Sequence, residues 1–268
     1  MQKPTTRQTE ILSLARAQGQ VSVEDLAARF AVTPQTIRKD LSDLCDQHLL
    51  SRVHGGAILA SGVENLAYEA RRRIAAEEKR AIGAAAAAQI PDKSSLFINI
   101  GTTTEEVARA LRGHQDLVVI TNNLNVAMML YPHPRIDLVL AGGPVRRGDG
   151  AVVGASAVDL IRQFKVDTAV IGASAIDEDG ALLDFDYREV RVSQAIIENA
   201  RRVILVADRL KLERTAPVRI AHISQVQVFV TDQIPSARLR AVCANHGVQV
   251  IETGVSEAVA SAAAGISN

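Results

Sequence analysis

Short runs of Val, Ile and Leu alternate with segments of helical spacing from residue 94 to residue 252, and no other feature restricts the fold as strongly. The apolar runs are 94–100 (SSLFINI), 117–121 (LVVIT), 136–141 (IDLVLA), 167–173 (DTAVIGA), 202–207 (RVILVA), 226–231 (VQVFVT) and 248–252 (VQVIE). Strands that are apolar on both faces have to be covered on both, which a parallel sheet with helices above and below provides. The stretches 103–112, 124–131, 155–164, 187–200 and 235–246 carry helical spacing and are predicted to be those covers. The fold class is therefore α/β with a mostly parallel sheet. With no Trp and 3% aromatic residues, its core has to be built from Ala, Val, Ile and Leu.

The first 57 residues follow a different pattern. Ile11 and Leu14 give a first helix one apolar side. Ser22 opens a second helix, with Asp25 three residues on in a capping-box-like start. Thr33 and Pro34 open a third, a capping hydroxyl followed by a proline whose missing N–H does no harm there. In that helix Ile37, Leu41 and Leu44 recur at i, i+4 and i+7 and face the core. This leaves Thr33, Gln35, Thr36, Arg38, Lys39 and Ser42 outward or near the helix N-terminus, where a recognition helix meets base edges and phosphates. Arg52 and His54, with Gly55 and Gly56, are predicted to form a wing after a strand at 49–53. Charge does not decide the partner, since residues 1–60 hold seven Lys/Arg and six Asp/Glu. The segregation of Arg38 and Lys39 beside Gln35 and Thr36 favours DNA, and a three-helix protein-interaction module stays open.

The net charge of the whole chain is 0, so bulk charge argues for no polyanionic partner. Cys45 and Cys243 are too few and too far apart for a disulfide framework or a zinc site, and read as buried small hydrophobes. The N-terminus MQKPTTRQTE lacks the apolar stretch of a signal peptide, and no run approaches the ~20 apolar residues that span a membrane. A cytoplasmic protein with no metal, no cofactor and no membrane partner is expected. Its organisation reads as a winged helix-turn-helix domain at 1–57, a linker at 58–74, an α/β domain at 75–253 and a flexible tail at 254–268. Residues 67–90 carry helical spacing with Ile74, Ile82 and Ala85 on one side. Arg71, Arg72, Arg73, Glu77, Glu78, Lys79 and Arg80 read as the solvated face of that helix, paired at i,i+4.

The strand at 94–100 runs into Gly101, Thr102, Thr103 and Thr104, and a helix begins at once. A glycine with hydroxyls at a helix N-terminus makes an anion site, because free N–H groups and the helix dipole favour phosphate. The same residues also make a structural cap, and the turn by itself leaves both readings open. Neither a Walker lysine nor a G-x-G-x-x-G is present, so no motif supports a nucleotide. Asn122 and Asn123 follow strand 117–121, Gly142 and Gly143 follow 136–141, and Asp208 with Lys211 follows 202–207. Open parallel sheets bind ligands where such strand ends converge. Amides, glycines and one lysine together fit a polyhydroxylated, singly phosphorylated molecule. Asn is equally suited to forming turns, so Asn122 and Asn123 keep both roles. Arg146 and Arg147 fit a pocket or a solvated loop equally well.

The stretch V-T-P-Q-T-I-R-K-D-L at 32–41, with Arg7 upstream and H-G-G-A at 54–57, resembles the helix-turn-helix signature of the DeoR family of transcriptional regulators. The resemblance continues in I-G-T-T (100–103), T-N-N-L-N-V-A (121–127), L-A-G-G (140–143), F-D-Y-R-E-V-R (185–191) and A-I-I-E-N (195–199), and covers residues 6 to about 250. It implies a repressor that binds double-stranded operator DNA and whose 75–253 domain is a sensor. The implied effector is a small phosphorylated metabolite, glycerol 3-phosphate in the branch these segments resemble, with Lys211 in its site. Paired operator half-sites imply a homo-oligomer. The sensor is similar in fold to ribose-5-phosphate isomerase and CoA transferases, which makes a sugar-phosphate isomerase-like enzyme the alternative. Where the isomerase has an acidic D-G-A-D-E, this chain reads I-G-A-S-A at 171–175. Asp184, Asp186 and Glu189 remain, yet one displaced carboxylate makes no proton relay, so no catalytic residue is assigned. The family's usual D-x-S-K-F reads D-R-L-K-L at 208–212, with Leu210 in place of the serine.

Overall fold

The computed structural model describes residues 5–18, 20–46, 49–53, 55–59 and 68–254. Its N-terminal part runs α1 (Thr6–Gln18), β1 (Gln20–Ser22), α2 (Val23–Phe30), α3 (Pro34–Asp46), β2 (Leu50–Val53) and β3 (Gly56–Leu59). The helices close over Ile11, Leu26, Ile37, Leu41 and Leu44, and the strands pair antiparallel in the order β1-β3-β2. Both expected caps form: Ser22 Oγ accepts from Asp25 N–H at 3.0 Å, and Thr33 Oγ1 accepts from Thr36 N–H at 3.3 Å.

The helical spacing at 67–90 resolves into two helices, α4 (Tyr68–Arg73) and α5 (Ala76–Ala87). Ala75 between them is left-handed, at φ 52° and ψ 40°, which ends the hydrogen-bond ladder. Such a conformation costs a non-glycine residue about 1–2 kcal/mol. Lys79 holds the break from the far side: its Nζ donates to the carbonyls of Arg71 and Ile74, satisfying acceptors at the C-terminus of α4. The expected solvated face is therefore corrected at two positions. Lys79 is buried, and Arg71 ion-pairs with Asp149 at 3.2 Å, whereas the Arg80–Glu77 pair is exposed. Of the linker expected at 58–74, residues 58–59 belong to β3 and 68–73 to α4, while 60–67 lie outside the described residues, as does the tail beyond 254.

The remainder runs β4 (Ser95–Ile98), α6 (Thr102–Ala110), β5 (Leu117–Thr121), α7 (Leu124–Leu130), β6 (Ile136–Leu140), α8 (Ala155–Ile161), β7 (Val166–Ile171), β8 (Ala175–Ile176), β9 (Ala181–Asp184), α9 (Tyr187–Glu198), β10 (Ala200–Val206), β11 (Val218–His222), β12 (Val228–Thr231), α10 (Ala237–Asn245) and β13 (Gln249–Glu252). All seven apolar runs become strands of one parallel sheet, in the order β13-β12-β10-β7-β4-β5-β6. Alternate residues of β4 serve opposite faces: Phe97 joins one buried cluster with Ala169 and Phe229, Leu96 and Ile98 the other with Ile82 and Val107. The chain winds outward from β4 to β6, returns, and winds the other way from β7, so β4 and β7 flank a topological switch point. A small antiparallel sheet, β11-β9-β8, carries no clear signal in the sequence because its strands are short.

α5 lies against α6 at Gly83, where an added Cβ would sit 2.6 Å from the backbone carbonyl carbon of Glu106. Gly83→Ala should gain ~1 kcal/mol of helix propensity and lose about 1–3 kcal/mol to overpacking against a backbone that has no rotamer to change. A net fall in stability by urea unfolding is the expected result, and a stabilised variant would show that the two helices slide apart freely.

Candidate functional site

The polar face of α3 is presented as the spacing requires. Thr33, Gln35, Arg38 and Lys39 are exposed, while Thr36 and Ser42 are half-buried. Thr33 and Thr36 also bond each other at 2.9 Å through their hydroxyls. Arg52 of β2 is exposed and donates to the Arg38 carbonyl at 3.3 Å, which brings β2 beside α3. His54 lies outside the described residues. On the opposite side, Asp40 is buried with the apolar positions and accepts from Arg7 Nε at 2.6 Å and Gln8 Nε2 at 3.4 Å. That buried contact ties α1 to α3 and gives Arg7 its place in the motif.

A cleft opens beyond the C-terminal ends of β4, β7 and β10, at the switch point where open α/β sheets bind ligands. Gly101–Thr104 forms one wall, Gly172, Ala173 and Ser174 another, and Arg71, Asp149, Asp184, Glu189 and Lys211 reach in from elsewhere. Gly101 turns the chain from β4 into α6 at φ 145°, a conformation that favours glycine. Thr104 Oγ1 lies 2.8 Å from the carbonyls of Asn99 and Gly101, so its hydroxyl proton is engaged in the turn. The hydroxyls of Thr102 and Thr103 make no hydrogen bond among the described residues, and they border the cleft together with the first N–H groups of α6.

Behind this wall, positive charge accumulates. Arg71, Lys79, Lys211 and Arg214 surround Asp208, with Lys79 Nζ 3.9 Å from Asp208 Oδ2. Lys79 and Arg214 are buried, while Arg71 and Lys211 are half-buried and reach the cleft. Desolvation, reinforced by Arg214, drives the pKa of Lys211 well below the usual lysine value. Desolvation also lowers Lys79, against the pull of Asp208. Arg71 Nε and Asp208 Oδ2, like Asn122 Oδ1, are buried without a hydrogen-bond partner among the described residues.

Four expected site residues are not brought to this cleft. Asn123 caps α7 and donates to Glu105 Oε1 at 3.3 Å. Asn122 is buried and donates to the Val152 carbonyl at 3.2 Å. Gly142 and Gly143 follow the edge strand β6 and are exposed. The reason is spatial order: β5 and β6 lie one and two strands beyond β4, and strands are ~4.8 Å apart. Asp149, Asp184, Glu189 and Arg71 come instead from outside the strand-end turns. Of these, Asp184 and Glu189 were legible only as leftover carboxylates, and Arg71 only as a surface charge.

Residues 7–63 match the DeoR-like helix-turn-helix domain and residues 74–233 the DeoR C terminal sensor domain. The chain belongs to the DeoR family. It is 46% identical over 248 residues to the glycerol-3-phosphate regulon repressor of Escherichia coli (strain K12), covering 92% of this chain and 98% of that one. It is 40% identical over 245 residues to the HTH-type transcriptional repressor CsqR of the same organism, covering 91% and 94%. Among solved structures it is similar to ribose 5-phosphate isomerase a of Methanocaldococcus jannaschii, at a TM-score of 0.39 and 16% identity over 52% of this chain and 55% of that one. As a DeoR-family chain it is a DNA-binding transcriptional repressor, and the enzyme alternative is not favoured. No helix among the described residues is long and apolar enough to cross a membrane.

In this DeoR sensor the loop after β6 is fastened over the cleft by Arg146. Its guanidinium grips Asp149 at 2.6 and 2.9 Å, Glu189 at 2.7 Å and Asp186 at 3.0 Å. Arg146 is thus engaged by carboxylates, two of which border the cleft, and is not a solvated loop residue. Burial, and then the negative charge of Asp184, push Glu189 up to about 8, against the pull of Arg146. Arg188 holds Asp186 at about 2 despite some burial. Between its ordinary value of 4.5 and about 8, folded Glu189 keeps a proton that the unfolded chain has lost. Its contribution to stability is therefore full below the ordinary value and disappears as pH rises through the folded one. Glu189→Gln should flatten the fall in stability across this window, by up to ~1.4 kcal/mol per pH unit. Thermal unfolding at a series of pH values checks this, and parallel curves for the two proteins would mean that Glu189 titrates as an ordinary carboxylate.

Proposed function

We propose that this chain represses transcription by binding paired operator half-sites as a homo-oligomer, and releases them when glycerol 3-phosphate enters the cleft of its sensor domain. The observation that carries the reading is the excess of enclosed positive charge around Asp208. Enclosed charges are stable only when paired, and four cations face Asp208 and, at Arg71, Asp149. A phosphate dianion at the cleft wall supplies the missing countercharge, and Thr102, Thr103 and the α6 N-terminus supply donors. At the other end, Asp184 and Glu189 offer acceptors for hydroxyls, which fits a polyol carrying one phosphate. The regulon named for the 46%-identical relative supports glycerol 3-phosphate among such molecules. Thr33, Gln35, Thr36, Arg38, Lys39, Ser42, Arg52 and His54 form the proposed DNA-reading face. Asn122, Asn123, Gly142 and Gly143 are withdrawn from the effector site.

Two variants separate the halves of this reading. Lys211→Met removes a desolvated cation, so the ligand-free protein should gain about 1–3 kcal/mol while losing glycerol 3-phosphate binding. Wild type, by contrast, should gain ~2.7 kcal/mol from ligand at a hundred times its Kd. If thermal unfolding shows Lys211→Met less stable and still ligand-responsive, the countercharge argument fails. Arg38→Ala should weaken operator binding by about 1–3 kcal/mol and leave effector affinity unchanged. A gel shift at fixed salt with wild-type affinity would remove Arg38 from the reading face.

A further inference from the structure

Two side chains of the sensor half belong to the hydrophobic core of the DNA-binding half. Ile74 and Leu210, 3% and 7% exposed, are part of the same buried cluster as Ile11, Ile37 and Leu44. They also line a surface pocket together with Gln20 of β1 and Val53 of β2. Each stands next to a cation of the effector cleft. Leu210 precedes Lys211 in the turn Arg209–Glu213, and Ile74 follows Arg71 by three residues at the end of α4.

Both pairs are fastened to one post. Asp208 Oδ1 accepts from Leu210 N–H at 3.2 Å, and its carbonyl accepts from Lys211 N–H at 2.9 Å. Its other carboxylate oxygen faces Lys79, the residue that holds the carbonyls of Arg71 and Ile74. Arg209 N–H donates to Asp232 at 2.6 Å and stiffens the turn. An anion that shifts the backbone of the Lys211 turn or of the end of α4 moves Leu210 or Ile74 with it. The left-handed Ala75 directly after Ile74 supplies a joint at which α4 can swing relative to α5.

We infer that Leu210 and Ile74 are the apolar anchors that dock the DNA-binding domain on the sensor, and that phosphate binding is transmitted by their displacement. The inference rests on the proposed phosphate site and goes beyond it by naming the contact through which that site is read. Leu210 occupies the position where the resembling family sequence has serine, so in this chain the coupling contact is hydrophobic at that point.

The test uses full-length Leu210→Ser, with Leu210→Ala if the serine variant fails to fold and Leu210→Met as the conservative control. Wild type should lose at least about fivefold in operator affinity at saturating glycerol 3-phosphate. In Leu210→Ser that ratio should fall below about twofold while calorimetric affinity for glycerol 3-phosphate stays within about threefold, and Leu210→Met should restore the ratio. A folded Leu210→Ser or Leu210→Ala protein that binds glycerol 3-phosphate and releases operator as wild type does would overturn the inference. If neither glycerol 3-phosphate nor inorganic phosphate binds wild type, the phosphate site itself is wrong. Hydrogen exchange then decides the docking alone: Leu210→Ser should lose protection in residues 5–59, and unchanged protection there would overturn it.

Discussion

Asp208 is a lone carboxylate beside Lys79, Lys211 and Arg214, with Arg71 within reach, and the arrangement of the sensor follows from that imbalance. Its carboxylate caps the turn that carries Lys211 and offsets the charge of Lys79, which in turn closes the end of α4. With Arg71 paired to Asp149, the Asp208 carboxylate is shared by Lys79, Lys211 and Arg214 in a poorly hydrated space. The lysines respond by shifting toward their neutral forms.

Beside the cleft, Asp149, Asp186 and Glu189 gather around Arg146, and different surroundings separate the protonation of Asp186 from that of Glu189. Asp186, beside Arg188, stays ionised deep into acid, whereas enclosed Glu189 near Asp184 takes up its proton near neutrality.

Much of this was legible in particular residues. The Val/Ile/Leu runs located every strand of the large sheet, because strands buried on both faces leave an unbroken apolar signal. Ile37, Leu41 and Leu44 located the core side of α3 and hence its polar face. Gly101–Thr104 was legible as a strand-to-helix turn, and the structure puts it at the border of the cleft. Asn122, Asn123, Gly142 and Gly143 stand at the same kind of junction, yet their strands lie toward the sheet edge. Arg71 and Lys79 were misread as solvated because helical spacing continues past Ala75, whose left-handed turn has no glycine or asparagine to announce it.

The sequence by itself determined the two-part organisation, the parallel sheet and the buried and polar sides of α3, since each rests on periodicity and on caps that act within a few residues. The tertiary structure decided which strand ends meet. Strand order is a long-range property, set by how helices cover both faces, and it placed β4 beside β7 and sent β5 and β6 outward. It also decided that Lys79, Lys211 and Arg214 share one small volume with Asp208, although Lys79 is more than a hundred residues away in the chain. Charges so distant leave no local pattern, and only burial makes their mutual repulsion large enough to matter.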